Sequence, residues 1–325
     1  MIELIQGDFN EKIKLIKDKS VDLIMFDPPY FEIKGKFDFI WNNFEDYLKD
    51  FESWIIELKR VLKDNGSLFV WGHAKNIAYQ QVVCDKYFNL LNNLVWEKKE
   101  CQTKRSCFEE LRRFAPVTER CLFYDKGEDK SGLSMIYSSP NLFQPIKQYM
   151  RLERKKIMEH KNFKTKAAFN VYIRKITNTS SVVHYFADSQ WMFPTNEIYN
   201  KLQTTGFFQK EYEALREEYE ALRRPFFNGG EVGKITDVIN WSQETSKHHR
   251  HPTKKPLGLI KKIIEMTVRD DAVILDPMMG SGTTGAAVVR INKDLFGKSN
   301  LNFIGIELDK EYFEIAKNRI EGGKQ

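Results

Sequence analysis

The tetrapeptide Asp27-Pro28-Pro29-Tyr30 combines hydrogen-bond acceptors with an aromatic face. It directly follows the apolar run Val21 to Phe26, which predicts a buried strand that ends in a loop. Two prolines hold the backbone extended, so the Pro28 carbonyl can point into a cleft beside the Asp27 carboxylate. These two acceptors suit an exocyclic aromatic amine, as in adenine or cytosine, with its ring stacked on Tyr30. By itself the tetrapeptide is equally compatible with a simple strand-terminating turn.

A glycine turn near the end of the chain predicts a site for an anionic group. The segment DPMMGSGTT, residues 276–284, follows the apolar run Ala272 to Leu275. Glycine lets the backbone approach a ligand closely, and the free N–H groups of a following helix attract a carboxylate or phosphate. No lysine follows the glycines, so a nucleoside triphosphate site is not predicted. Glu307, at the end of the next predicted strand, is placed to accept hydrogen bonds from ribose hydroxyls, although a structural turn with a buried acid is the alternative.

These two motifs, together with HPTKKP at 251–256, resemble the amino-directed DNA methyltransferases that use S-adenosylmethionine. The order of the motifs, with DPPY first and the glycine turn last, is similar to the permuted subgroup called β class. The resemblance covers about 1–125 and 245–320. Lys254 stands where the family pattern HPTQKP has glutamine, and this difference puts little in doubt.

The resemblance implies which residues form the site. The catalytic positions are Asp27, Pro28, Pro29 and Tyr30. The implied cofactor is S-adenosyl-L-methionine, and its binding positions are Asp8, Thr253, Lys255, Pro256, Asp276, Pro277, Gly280, Ser281, Gly282, Thr283 and Glu307. The glycine turn would surround the methionine end of the cofactor, HPTKKP would close over the methionine carboxylate, and Glu307 would bind the ribose. Asp8 would lie beside the cofactor's adenine or the active cleft.

The implied reaction is site-specific methyl transfer to the N6 amino group of adenine in double-stranded DNA, by base flipping and direct in-line attack. Aspartate in DPPY favours adenine, while cytosine-N4 methylation stays open as the alternative. A cytosine-C5 enzyme would need a nucleophilic cysteine, typically after proline, and the sequence has no Pro-Cys pair. A catalytically inactive DNA-binding regulator is the hypothesis from another class, and the intact Asp27 and glycine turn argue against it.

Strand and helix patterns alternate around these motifs, which is typical of an α/β fold. A predicted helix over Phe44 to Leu62 is closed by Asn65-Gly66 and leads into the strand Ser67 to Trp71. With the resemblance, this pattern predicts a Rossmann-like class I methyltransferase sheet with helices on both faces, circularly permuted motif order and a mostly helical inserted target-recognition domain. The expected division is 1–127, the half with DPPY; 128–245, the insertion; and 246–325, the cofactor-binding half.

The insertion contains most of the excess positive charge. Between Gln144 and Lys175 there are ten Lys and Arg residues against two Glu, whereas the whole chain has a formal net charge of only +6. Lysine and arginine contact phosphates, and amide or aromatic side chains reach base edges. The DNA-binding candidates are therefore Arg151, Arg154, Lys155, Lys156, Arg174, Lys175, Gln190 and Trp191. Solvated charge, and a core position for Trp191, are the alternatives. The repeat EYEALR at 211–216 and 218–223 predicts a helix that packs on its own protein rather than a zipper.

Composition excludes several other classes of protein. With 42% hydrophobic and 30% charged residues, the chain lacks the signature of disorder and has no apolar run near the ~20 residues of a membrane span. The four cysteines form no CxxC pair, and His248, His249 and His251 stand beside lysines, so no metal is expected. The start MIELIQGDFN lacks a signal peptide pattern, which predicts a cytoplasmic protein. A restriction endonuclease partner is possible, and monomer and homodimer both stay open.

Overall fold

The structure is a computed structural model that describes residues 1–33, 36–98, 112, 114, 117–127, 143–187, 191–228, 234–242, 255–294 and 300–322, with 36 and 37 as backbone only. The chain divides into two compact units. Unit 1 combines both ends of the chain, Met1–Ile136 and Arg224–Gln325, and unit 2 is Tyr137–Arg223. Each unit has its own hydrophobic core.

Unit 1 contains an eight-stranded sheet in the order β1-β8-β7-β2-β3-β5-β4-β6. Every neighbouring pair is parallel except the two pairs made by β5, which is antiparallel to both β3 and β4. The carboxyl ends of the other strands and the amino end of β5 therefore lie at the same edge of the sheet. The strands are β1 Ile2–Gln6, β2 Val21–Phe26, β3 Leu62–Gly72, β4 Asn89–Lys98, β5 Thr118–Asp125, β6 Val238–Trp241, β7 Val273–Asp276 and β8 Asn302–Glu307.

Amphipathic helices of unit 1 pack on the sheet and create two cores. Helix α2 buries one stripe of aromatic and aliphatic side chains, among them Phe51, Trp54 and Leu58, and each such burial stabilises the fold by roughly 1.5–3 kcal/mol. Helix α8 contributes Ile260 and Ile264 to the second core. The described helices of unit 1 are α1 Phe9–Lys12, α2 Phe44–Val61, α3 Ile77–Cys84, α8 Leu257–Thr267, α9 Thr283–Asp294 and α10 Lys310–Glu321.

Unit 2 is built from helices around one aromatic core. The described helices are α4 Gln144–His160, α5 Lys166–Thr177, α6 Asn196–Gln203 and α7 Tyr212–Leu222, with a 3₁₀ helix at Ser180–Phe186. The EYEALR repeat forms α7, and Tyr212, Leu215, Tyr219 and Leu222 pack into this core. The prediction that this helix packs on its own protein is therefore confirmed.

The α/β fold predicted from the sequence is confirmed, with two local differences. Asn65-Gly66 does not close the helix, because α2 ends at Val61 and β3 begins at Leu62 and contains both residues. The short strand β6 pairs with β4 in the sheet of unit 1, so the chain has returned to that unit before position 245. Unit 2 thus contains fewer residues than the predicted insertion 128–245. Its role in target recognition stays a prediction.

Among the described residues, no helix is long and apolar enough to span a membrane. In the same ranges, no three His, Cys, Asp or Glu side chains gather in a way that could hold a metal ion. The predicted positions Thr253 and Gln190, and the histidines His248, His249 and His251, lie outside the described residues.

Candidate active site

The two motifs meet at the carboxyl edge of the unit 1 sheet. Asp27 follows β2, Asp276 ends β7 and Glu307 ends β8, and β2, β7 and β8 are neighbours in the sheet. Ligands of open α/β sheets bind at this edge. A cavity of about 1020 Å³ lies there, lined by most of the predicted site, namely Asp8, Asp27, Pro28, Pro29, Tyr30, Lys255, Asp276, Pro277, Gly280, Ser281, Thr283 and Glu307.

Two groups fix the orientation of the Asp27 carboxylate. The Tyr30 hydroxyl donates to Asp27 Oδ1 at 2.5 Å, and the Lys255 ammonium donates to Asp27 Oδ2 at 2.6 Å. Lys255 Nζ also lies 2.9 Å from Tyr30 Oη, so the three side chains form a closed triangle. The backbone is fixed as well, because the Tyr30 N–H donates to the buried Asp38 carboxylate and Tyr47 Oη donates to the Pro29 carbonyl. Each Asp27 oxygen keeps a lone pair that can accept a hydrogen bond from a ligand.

Lys255 therefore contacts Asp27, the carboxylate of DPPY. This contact was not predicted from the sequence. Its side chain is 5% exposed, and its ammonium lies 5.0 Å from the centroid of the Trp71 ring and 5.5 Å from that of Tyr30. Burial alone would lower the pKa of Lys255, but the Asp27 and Glu119 carboxylates outweigh burial and raise it. Lys255 is a buried cation beside Asp27, and its predicted contact with the methionine carboxylate stays a prediction.

Glu119 is a site residue that the sequence analysis missed. It lies at the start of β5, where its carboxylate pairs with Lys98 and approaches Lys255 Nζ to 3.4 Å. Burial would raise the pKa of Glu119, but Lys255 and Lys98 outweigh that effect and lower it. Strand alternation could have revealed this residue, because Glu119 shares a face with the core side chains Cys121 and Phe123.

The glycine turn adopts the backbone conformation that its residues predict. Gly280 has φ +50° and Gly282 has φ +72°, in the left-handed region that glycine enters at little cost. A side chain at Gly282 would also meet the Ala316 Cβ at 2.8 Å, so α10 packs directly against the turn. Arg319 on α10 donates to the Ser281 carbonyl at 3.2 Å and to the Thr283 hydroxyl at 2.9 Å. Gly282 and Pro256 do not line the cavity. Pro256 is the buried N-cap residue that directly precedes α8.

Two carboxylates flank this turn. Glu307 accepts the Gly280 N–H and the Asp309 N–H, each at 2.8 Å, which leaves lone pairs on both oxygens. Asp276 Oδ2 accepts the Thr284 hydroxyl at 2.5 Å, and its other oxygen is buried with no hydrogen-bond partner among the described residues. Burial, with a smaller contribution from Asp27, raises the pKa of Asp276 to about 7. Burial also raises the pKa of Glu307.

The DNA-binding candidates in unit 2 take different positions. Arg151, Arg154 and Lys155 line a groove together with Lys164 and Lys166. Lys156 instead pairs with the buried Glu153 at 2.5 Å. Arg174 and Lys175 are exposed in the last turn of α5 and do not line this groove.

The structure contradicts the predicted DNA contact of Trp191. It is 6% exposed, stacks on Phe143 at 5.4 Å between ring centroids, and donates its indole N–H to the Tyr185 carbonyl at 3.1 Å. A base edge has no access to a ring held in this way. Trp191 is thus a core residue of unit 2, which is the alternative that the sequence left open.

Fold and site together define a class I methyltransferase with permuted motif order. The chain belongs to the N6/N4 methyltransferase family of DNA methylases, whose family model matches residues 21–318. The sequence-based expectation of an amino-directed DNA methyltransferase that uses S-adenosylmethionine is therefore confirmed.

Curated relatives match along almost the whole chain. The type II methyltransferase M2.LlaDCHI of Lactococcus lactis subsp. cremoris is 26% identical over 98% of this chain and 89% of its own length. The DNA adenine methyltransferase YhdJ of Escherichia coli K12 is 24% identical over 98% of this chain and 82% of its own length.

Solved structures share the fold. The M1.HpyAVI complex with its cofactor SAM has a TM-score of 0.53 at 21% identity, covering 98% of this chain and 99% of the other. The cytosine-N4-specific PvuII DNA methyltransferase has a TM-score of 0.55 at 13% identity, covering 98% and 86%. These likenesses show the fold of the chain, a Rossmann-like sheet.

The cavity has hydrogen-bond acceptors that suit S-adenosylmethionine. The cofactor carries a sulfonium and an ammonium, and the buried Asp276 oxygen that lacks a partner is an acceptor suited to such a cation. Glu307 retains the lone pairs needed to bind ribose hydroxyls. The residues present thus fit the cofactor.

Proposed function

We propose that this DNA methylase transfers the methyl group of S-adenosylmethionine to the N6 amino group of adenine in double-stranded DNA. The observation that carries this proposal is the position of the Asp27 carboxylate, fixed on two sides and lining the same cavity as the glycine turn and Glu307. The aspartate in DPPY and the named adenine activity of the E. coli relative both favour adenine as the target base.

Asp27 and the Pro28 carbonyl are proposed to accept the two hydrogens of the target amine. The nitrogen lone pair of adenine is conjugated with the ring, and two acceptors in fixed positions favour a more tetrahedral nitrogen that can attack. The cofactor supplies an electrophilic methyl group on its sulfonium. Asp276 and the glycine turn are proposed to hold the methionine end, Glu307 the ribose and Asp8 the cofactor's adenine end.

The two cysteines that the structure describes, Cys84 and Cys121, fit direct transfer without an enzyme-bound intermediate. Burial raises the pKa of Cys84 and of Cys121 well above the usual range, so both remain thiols. Cys121 lies on β5 two residues after Glu119, near the site, yet a buried thiol is a poor nucleophile.

The target adenine would have to leave the duplex to reach Asp27. Trp41 lines the cavity beside DPPY and is partly exposed, whereas Trp54 and Trp71 are buried behind it. The Trp41 ring offers apolar surface to a flipped base. The stacking partner predicted from the sequence, Tyr30, is 4% exposed and holds its hydroxyl on Asp27, and its contact with the base stays a prediction.

The groove of unit 2 is proposed to contact the phosphate backbone. Its lining includes the five cations Arg151, Arg154, Lys155, Lys164 and Lys166 against the single acid Glu159. Such a surface attracts nucleic acid without reading its sequence.

Three further expectations stay predictions. They are a cytoplasmic location, a restriction endonuclease partner, and a monomer or homodimer as the oligomeric state.

The test is methyl transfer from tritiated S-adenosylmethionine to duplex DNA, followed by digestion to nucleosides and chromatography. We expect label in N6-methyldeoxyadenosine, and we expect Asp27→Ala to lose at least ~100-fold in turnover while it binds the cofactor with nearly unchanged affinity. Label in N4-methyldeoxycytidine would contradict the adenine assignment. Full turnover by Asp27→Ala would contradict the role of this carboxylate.

A further inference from the structure

The buried ammonium of Lys255 needs more compensation than Asp27 alone provides. Removing an ammonium from water costs several kcal/mol unless it is paired and hydrogen-bonded. Lys255 Nζ has three N–H donors, of which Asp27 Oδ2 and Tyr30 Oη take two, at 2.6 and 2.9 Å. The remaining side of the ammonium is approached by Glu119 Oε2 at 3.4 Å. Glu119 is therefore the second carboxylate, after Asp27, that compensates the buried charge of Lys255.

Glu119 is itself fixed from the other side. Lys98 donates a hydrogen bond to Glu119 Oε1. The other oxygen, Oε2, is buried and has no hydrogen-bond partner among the described residues, but it forms an ion pair with Lys255. The result is a row of alternating charges, with Lys98 first, then Glu119, Lys255 and Asp27. Lys98 is the last residue of β4 and Glu119 is the second residue of β5, and these two ends are adjacent because the strands are antiparallel. The outer half of the row is thus attached to the sheet.

We propose that Glu119 is a positioning residue, which holds the Lys255 ammonium against Asp27 and so keeps the Asp27 carboxylate aimed at the target amine. This inference rests on the proposed function. Without the charge of Glu119, the Lys255 side chain loses one of the two carboxylates that hold it, and Asp27 loses a fixed partner on Oδ2. A misplacement of about 1 Å at a reacting group can cost roughly 100-fold in rate.

The direct test is Glu119→Gln, which keeps the shape of the side chain and removes its charge. Single-turnover methylation of duplex DNA, calorimetric binding of S-adenosylmethionine and the melting temperature are measured on the full chain. We expect the rate of transfer to fall by about 10- to 100-fold, with the cofactor dissociation constant within about threefold of wild type. A transfer rate within twofold of wild type, or a loss found only in cofactor affinity, would overturn the proposal.

Asp22→Asn is the matched control. Like Glu119, Asp22 is a carboxylate on a strand of the sheet that pairs with a lysine, here Lys63 at 2.7 Å. It lies on β2, at the opposite end of that strand from Asp27. Its carboxylate accepts the Val273 N–H at 2.9 Å and has no part in the cavity lining. We expect this variant to lower the melting temperature while the transfer rate stays within twofold of wild type. An equal loss of rate in both variants would mean that Glu119 acts only through stability.

A double variant and a pH profile separate positioning from a general loss of structure. If Glu119 acts through Lys255, adding Glu119→Gln to Lys255→Met should change the residual rate by no more than about twofold, because coupled residues are not additive. Full additivity would overturn the proposal.

The pH profile tests the charge itself. The described titratable groups that face Lys255 are Asp27, Tyr30, Glu119 and the Cys121 thiol, with Lys98 behind Glu119. Since Glu119 helps to raise the pKa of Lys255, its removal should let the ammonium lose its proton at lower pH. We expect the alkaline fall in transfer rate to begin at lower pH in Glu119→Gln, and an unchanged profile would contradict the inference. Product identity is measured separately on wild type, so either proposal can fail alone.

Discussion

At the scale of single residues, two carboxylates of the site, Asp276 and Glu307, are buried at a cost in stability. Asp276 shows this cost most clearly. Burial raises its pKa from 3.8 to about 7, so the folded protein favours the neutral acid while the unfolded chain carries the charge. A cationic cofactor requires the opposite, a charged and accepting Asp276. Function and stability therefore conflict at this residue.

The conflict predicts how stability depends on pH. For an acid whose folded pKa is raised, the folded state holds its proton more tightly, so stability falls as pH rises from about 4 to about 7. Asp276→Asn keeps an acceptor for Thr284 and removes this titration. We expect its melting temperature, relative to wild type, to be higher at pH 8 than at pH 4.5, with weaker binding of S-adenosylmethionine. The same difference at both pH values would show that Asp276 does not titrate as described.

At the scale of elements, the glycine turn connects β7 to α9 and packs against α10. The close approach of Gly282 to Ala316 is what allows this packing. Gly282→Ala would combine a strained positive φ with a steric clash, and each such strain costs on the order of 1–3 kcal/mol. We expect cofactor affinity to fall by about tenfold or more.

Gly206→Ala provides the control for backbone strain alone. Gly206 has φ +83°, but a Cβ there would meet no atom within 4 Å, and the residue lies in unit 2. We expect its cofactor affinity, measured by calorimetry, to equal that of wild type. Unchanged affinity in Gly282→Ala as well would mean that the turn does not contact the cofactor.

Local sequence pattern could predict the elements that carry the motifs. The strand Val21–Phe26 has the predicted bounds, because prolines directly follow its apolar run and mark its end. Asp27 and the glycine turn could be paired because their strands are parallel and end at one edge. The strand Val238–Trp241 was missed, since four residues at a sheet edge carry too little periodicity.

Long-range contacts between side chains could not be predicted in the same way. Lys255 and Asp27 are 228 positions apart, and Glu119 reaches the site only because β5 runs antiparallel to its neighbours. Trp191 shows the same limit in reverse, since the sequence favours a core position for this aromatic residue but leaves a base contact open. Only the packing of unit 2 decides between them.

At the scale of the whole molecule, positive charge is concentrated in unit 2. In the sequence, this unit lies between DPPY and the glycine turn. We expect the double variant Lys164→Gln, Lys166→Gln to weaken DNA binding for all sequences equally. The dependence of log K on log salt should become less steep by about 0.9 for each phosphate that the variant no longer neutralises. Both lysines are exposed in the groove, so stability should stay within about 0.5 kcal/mol of wild type.

Lys201→Gln on α6 is the control for this surface, because Lys201 is in the same unit, pairs with Glu197 at 2.6 Å and does not line the groove. Fluorescence anisotropy with labelled duplexes at several salt concentrations measures all three proteins. An unchanged salt slope in the double variant would contradict the role of the groove.

The enzyme is proposed to methylate adenine at a defined sequence, in the cavity that Asp27 and the glycine turn share. Single-molecule sequencing of genomic DNA from a methylation-deficient host that expresses the chain measures both the modified base and its sequence context. We expect N6-methyladenine at one recurrent sequence context, and none in a host that expresses Asp27→Ala at the same level. N4-methylcytosine in that context, or the same adenine methylation with Asp27→Ala, would contradict it.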